Sequence, residues 1–224
     1  MRVVHPLGTP AVARVDAGFL DPRYPGWRRE MGLAPDEHPG VDLNLSGTWR
    51  DQDLGWPVVA VTLGKVVHAR HHRVWGNIVL LEHPAWLAER LGYPALYTQY
   101  AHLLHVCVQE GDWVWPGEPV GSVGKGDPKS PFLAHLHFEV RTRGPDRLPP
   151  DAWPKTRERI LEAGYVDPEV FFARALSHTR RYEFPNGVLY TPAGAVRGAV
   201  IANFERPELP RVRFRPREGG EEKE

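Results

Sequence analysis

Ala134-His135-Leu136-His137-Phe138-Glu139-Val140-Arg141 alternates polar with apolar residues, and that alternation suits one kind of backbone. On a strand, successive side chains point to opposite faces, so His135, His137 and Glu139 share one face while Leu136 and Phe138 share the other. On a helix, residues two apart would not share a face. The rise of a strand sets the two imidazoles ~7 Å apart. Both could border one metal-bound water, but surface histidines on a strand edge have the same spacing.

Outward from this strand the chain is punctuated by 22 glycines and 23 prolines spread along its length, which favours many short segments over long helices. Val58 to Leu63, Lys65 to Ala69, Asn77 to Glu82, Leu96 to Tyr100, Val120 to Val123 and His135 to Arg141 read as strands, short and rich in β-branched or aromatic residues. Most connections between them suit antiparallel pairing. Helical passages are expected at Ala85 to Leu91, at Lys155 to Ala163 and at Pro168 to Leu176. The expected fold is therefore mainly β, with antiparallel sheets, short helical insertions and a helical C-terminal extension. Residues 1–180 are expected to form one domain. Residues 181–224 should hold a hairpin around Pro185-Asn186-Gly187 and, from Glu205 onward, a mobile charged tail ending EGGEEKE.

Composition removes several classes of function. At 224 residues, 42% hydrophobic and 25% charged, the chain has enough core to stand without disulfides. Its 28 basic and 28 acidic residues balance, leaving no basic field for nucleic acid or an anionic membrane. No window approaches the ~18 apolar residues of a membrane span, and the first twenty residues lack the apolar stretch of a secretory signal. Cys107 has no partner in the chain and, within Val106-Cys107-Val108, is expected to be a small buried residue.

Three further stretches carry chemistry. In His38-Pro39-Gly40-Val41-Asp42 the two outer residues would stand ~13 Å apart if fully extended, so sharing an ion requires the bend that Pro39 and Gly40 supply. Tyr100-Ala101-His102-Leu103 ends a strand and aims His102 outward. Glu110-Gly111-Asp112-Trp113-Val114-Trp115-Pro116-Gly117-Glu118-Pro119-Val120-Gly121-Ser122-Val123-Gly124 alternates glycine-bearing turns with single valines, as in a small β-meander.

In this order, HPGVD at 38–42, YAHL at 100–103, the meander at 110–124 and HLHFE at 135–139 resemble the LytM/lysostaphin-like zinc metallopeptidases, a family of peptidoglycan endopeptidases. The resemblance covers residues 36–143. It implies the fold shared by lysostaphin-like peptidases and one zinc per chain held by His38, Asp42 and His137, with a fourth position open to water. It also implies that His135 and His102 line that water, take its proton and help stabilise the oxyanion, with His135 the preferred base. Glu139 is either a partner that orients an imidazole or a structural strand carboxylate. The implied substrate is a peptidoglycan peptide, in a cross-bridge or a stem, and a protein activator is left open. The implied compartment is the cell envelope or periplasm if the chain is exported or truncated, and the cytoplasm otherwise.

The chain also departs from the pattern. The insertions Ser46 to Gly55 and Pro84 to Ala95 are expected to wall a groove, and Trp49, Trp56, Trp75, Trp113 and Trp115 either line it or pack the core. The nearest tyrosine upstream of His38 is Tyr24, farther away than the family places its catalytic tyrosine, so that role is unassigned. His68, His71 and His72 are expected in a solvated basic turn, and His83 and His105 on scaffold or surface. An inactive relative serving as a peptidoglycan-binding or regulatory module is the rival reading, opposed by the complete set of five site residues. A biotinyl or lipoyl carrier lacks its hairpin lysine here, and a cupin-type site wants its glutamate farther along than Glu139.

Overall fold

The computed structural model describes residues 2–8, 13–126 and 132–177, together with two short strands at 190–191 and 194–195. The first elements are β1 (Ala13–Ala17), α1 (Tyr24–Glu30), β2 (Val41–Leu45), β3 (Pro57–Val59), β4 (Gly64–His72), β5 (Gly76–Glu82) and α2 (Ala85–Arg90). There follow β6 (Tyr97–Leu103), β7 (Trp113–Val114), β8 (Pro119–Ser122), β9 (Leu136–Arg141), α3 (Arg157–Glu162), β10 (Tyr165–Val166) and α4 (Pro168–Ser177). Residues 1–181 form one compact unit and residues 182–224 a second. Of the second unit the described part is an antiparallel pair, β11 (Tyr190–Thr191) with β12 (Gly194–Ala195). The Pro185-Asn186-Gly187 turn and the charged tail lie outside the described residues.

In the first unit one antiparallel sheet runs β1-β2-β9-β6-β5-β4-β7, with β10 paired to the end of β9, and β3 pairs β8 in a separate ribbon. The fold is mainly antiparallel β, as the alternation and short connections predict. β9 lies inside this sheet, between β2 and β6. Leu136, Phe138 and Val140 enter the main core with Val41, Leu43, Val79, Leu81 and Tyr100, while His137, Glu139 and Arg141 are buried too. β5 is buried on both faces, Val79 and Leu81 in the main core and Ile78 in a small cluster with Trp75 and Ala101, and accordingly reads as a continuous apolar run.

Several elements differ from expectation for local reasons. β1 carries Arg14 and Asp16 on a sheet edge, where charge discourages further pairing, so its pattern is not that of a core strand. α1 contains Pro25, which is tolerated because it falls in the first helical turn. β4 continues to His72, so the histidines expected in a turn are strand residues. Cys107 is exposed, contrary to expectation: Val106 and Val108 pack against the core and the period of two turns the residue between them outward. The ends of the Pro84–Ala95 insertion, at Pro84, Ala85, Pro94 and Ala95, line a pocket with Trp113, while its helix packs inward. Leu87, Ala88 and Leu91 bury its helix in the main core with Phe171 and Ala175 of α4.

His83 is a scaffold histidine. Only 4% exposed, it donates from Nδ1 to the Leu63 carbonyl at 2.8 Å, and its Nε2 lies 2.9 Å from the Thr98 hydroxyl. Burial depresses its pKa to about 4, so the folded protein holds it neutral where the unfolded chain would protonate it. Its contribution to stability is present above the ordinary value of 6.5 and is lost as the pH falls from there through about 4. Taking the protein from pH 7 to 4.5 should therefore cost wild type about 2 kcal/mol more unfolding free energy than His83→Asn. Denaturant titrations at the two pH values measure the difference, and equal losses would contradict the assignment.

Candidate metal centre

The register of β2 on β9 sets Asp42 directly opposite His137, and the Pro39-Gly40 bend returns His38 to the same spot. That return depends on glycine. A Cβ on Gly40 would lie 2.5 Å from the Phe138 carbonyl oxygen and 2.9 Å from Glu139 Cγ. The result is a triangle of donors: His38 Nε2 to His137 Nδ1 is 3.1 Å, His38 Nε2 to Asp42 Oδ1 is 3.2 Å, and His137 Nδ1 to Asp42 Oδ1 is 2.9 Å. Ion bonds of ~2.0 to 2.1 Å would set tetrahedral donors ~3.3 Å apart. Two imidazoles and a carboxylate at nearly that spacing fit a divalent metal.

Each ring is oriented from behind. His38 Nδ1 donates to the Gly18 carbonyl at 2.8 Å, leaving Nε2 for the site. His137 is turned the other way, since its Nε2 donates to Glu139 Oε1 at 2.9 Å and its Nδ1 faces Asp42. Glu139 is thus the orienting partner, and it is itself fixed by Arg141, whose Nε lies 2.7 Å from Oε2. Burial disfavours the charged forms here, but the partners prevail. The surrounding His38 and His135, with hydrogen bonds to His137 and His38, hold Asp42 well below the usual carboxylate range. The Asp42 and Glu139 carboxylates raise His137 to about 9 in the metal-free protein.

His102 reaches the site through a break in the sheet. Strict alternation would put it on the core face with Thr98 and Tyr100. β6 instead bulges against β5, with Tyr100 opposite Val79 and Leu103 opposite Asn77, and His102 has φ +62°. A bulge re-aims a side chain in this way. The ring then donates from Nδ1 to the Trp75 carbonyl at 3.0 Å and packs 4.7 Å from His135, centroid to centroid. His135 donates from Nδ1 to the Leu133 carbonyl at 2.8 Å, and its Nε2 lies 3.6 Å from Asp42 Oδ1. Gly124 joins the two histidines. Its carbonyl accepts the His135 backbone N–H at 3.0 Å, while a Cβ there would lie 2.2 Å from the His102 carbonyl oxygen. All five residues singled out in the sequence are therefore brought together.

Trp153 carries no signal in the sequence, and the sequence assigns Tyr24 no role and leaves Trp75 between groove and core. Tyr24 stacks on His38 at 4.2 Å. Trp153 lies 6.0 Å from His137 and 6.2 Å from His38, in a stretch that Arg141 holds by donating to the carbonyls of Pro149 and Pro150 at 3.1 Å each. Trp75 is buried beside the cluster, whereas Trp49, Trp113 and Trp115 are exposed and Trp56 packs partly against the core. Within Ser46 to Gly55, Asp51 accepts the Ala134 N–H at 2.8 Å, tying this insertion to the residue before His135.

Comparison with known proteins gives the family. Residues 36–149 match Peptidase family M23. The chain belongs to that family. Among curated relatives of this M23 chain is the peptidoglycan DD-endopeptidase ShyB of Vibrio cholerae, 32% identical over 110 residues. That match covers 48% of this chain and 23% of ShyB, so the chain spans about a quarter of that relative. Among solved structures, a zinc-containing peptidase from Vibrio cholerae is 26% identical, with a TM-score of 0.43 over 62% of this chain and 35% of that one. The catalytic domain of lysostaphin from Staphylococcus simulans is 24% identical, with a TM-score of 0.42 over 60% and 78% respectively.

Two outcomes follow for the cluster. An ion taking His137 Nδ1 displaces a proton there, so below about pH 9 the apparent zinc affinity should rise about tenfold per pH unit. Calorimetry in buffers of different ionisation enthalpy reads the proton release, and affinity flat between pH 6 and 8 would contradict it. Replacing Glu139 by Gln should weaken zinc binding by about 10- to 100-fold, as measured by competition with a chromogenic chelator.

Proposed function

We propose that this chain is a zinc metalloendopeptidase that hydrolyses peptide bonds in peptidoglycan, in a cross-bridge or a stem peptide. The observation that carries the reading is the convergence of His38, Asp42 and His137, with His102 and His135 on its open side. Membership of family M23 and the likeness to a peptidoglycan endopeptidase support the substrate class.

His38 Nε2, Asp42 Oδ1 and His137 Nδ1 would hold the ion. Bound zinc supplies a water of lowered pKa and polarises a carbonyl. The chain's own residues do the rest. His102 and His135 each commit Nδ1–H to a backbone carbonyl, so each presents a bare Nε2 able to accept a proton, and once protonated offers an N–H to a developing oxyanion. Burial and the neighbouring His135 and His137 hold His102 well below the ordinary histidine range, which makes it the poorer base. His135, with Nε2 nearer the ligand carboxylate, is assigned as the proton acceptor. Trp75 and Leu133 fix the two rings through their carbonyls, and Trp153, Tyr24 and Trp75 shield the cluster.

The rival reading, an inactive binding or regulatory module, has no missing residue to favour it. Incubating the protein with purified peptidoglycan and identifying newly exposed amino termini by mass spectrometry decides between the two. Wild type should release peptides. His135→Ala and His102→Ala should each lower turnover by about 10²- to 10⁴-fold while retaining zinc. Wild type that holds zinc yet opens no bond in any peptidoglycan chemotype would overturn the substrate assignment.

A further inference from the structure

A second pair of histidines stands apart from the five residues of the metal centre. His68 and His72, four residues apart on β4, lean together until their Nε2 atoms are 2.8 Å apart and their ring centroids 5.0 Å apart. The other nitrogen of each ring faces a carboxylate: His68 Nδ1 lies 3.9 Å from Glu110 and His72 Nδ1 lies 3.6 Å from Asp151. The side chains are only 13% and 21% exposed. A carboxylate on the Nδ1 side of each ring can receive the Nδ1 hydrogen when Nε2 gives its lone pair to an ion, the arrangement typical of histidines that bind metals.

In the metal-free protein one neutral ring donates its Nε2–H to the lone pair of the other, and an ion that takes both nitrogens needs only the exchange of that hydrogen to Nδ1. Burial and the neighbouring His72 push the His68 pKa below the ordinary histidine value, which favours the neutral ring that a metal ion requires. Arg70, on the strand between the two rings, is engaged by Glu110 through bonds of 2.7 and 2.8 Å, which offsets its charge.

We propose that His68 and His72 form an auxiliary site for a divalent late transition ion of the zinc, nickel or copper kind, separate from the His38, Asp42 and His137 cluster. Paired imidazoles select such ions over magnesium or calcium. With two protein donors, the remaining positions go to water, and the ion exchanges more readily than one at the three-donor centre. Asp151 links the two regions: its side chain faces His72, and its backbone carbonyl accepts the Trp75 indole N–H at 3.1 Å.

The test titrates Zn²⁺ alone into the full chain by calorimetry, with bound metal counted after dialysis. Wild type should take a second, weaker equivalent after the first. His68→Gln and His72→Gln should each weaken the second equivalent by about tenfold or more and leave the first unchanged, whereas the exposed neighbour His71→Gln should alter neither. Asp151→Asn, which leaves both rings in place, should weaken the second and spare the first. In His137→Ala the first equivalent should be lost and the second retained, so failure of one site is distinguishable from failure of the other. No second equivalent in wild type, or one that survives in both His68→Gln and His72→Gln, would overturn the proposal.

Discussion

The Glu139 carboxylate, closed in on both sides, governs the geometry of the site. One oxygen accepts the Nε2–H of His137 and the other the guanidinium of Arg141, and all three side chains are essentially removed from water. A carboxylate buried so deeply is tolerated because Arg141 neutralises it. The consequences run both ways along the chain of contacts. Toward the site, Glu139 fixes the His137 tautomer and so decides which nitrogen meets Asp42. Away from it, Arg141 spends its other donors on the carbonyls of residues 148–150, holding in place the stretch that delivers Trp153. Breaking such a buried pair by removing one partner costs about 3 to 5 kcal/mol, so ligand orientation and fold share one interaction.

The sheet supplies a complementary constraint at His102. A non-glycine residue in the left-handed region costs of order 1 to 3 kcal/mol and persists where its surroundings determine it. Here they do: the backbone N–H and Nδ1 of His102 both donate to the Trp75 carbonyl, and the Gly124 backbone lies against the far side of the bulge. The same glycine bridges to His135. Two histidines far apart in sequence are therefore set by one close approach of three backbone segments.

Much of this was legible in the sequence, and what was not has physical causes. The alternation in residues 134–141 told which face of β9 would carry chemistry, and the Pro39-Gly40 bend told that His38 could rejoin Asp42. The residues behind the site were less visible, because Arg141 sits just beyond the motif and Trp153 and Tyr24 reach the cluster through tertiary packing that local periodicity does not encode. For Glu139 the sequence left orienting and structural roles open, and the structure joins them in one carboxylate. The exposure of Cys107 is hidden in the sequence because three apolar residues in a row mask a period of two, and the end of β4 because Arg70-His71-His72 is polar enough to resemble a turn.

The central claim is that one catalytic ion is held by His38 Nε2, Asp42 Oδ1 and His137 Nδ1 with a position left for water. X-ray absorption at the zinc edge, on protein carrying a single equivalent, tests it most directly. Two imidazole nitrogens and light oxygen donors are predicted in wild type, unchanged in His102→Ala, whereas His137→Ala combined with His72→Gln should retain no zinc. A third imidazole in wild type, an imidazole lost in His102→Ala, or a first shell unchanged in the His137→Ala, His72→Gln double variant would contradict it.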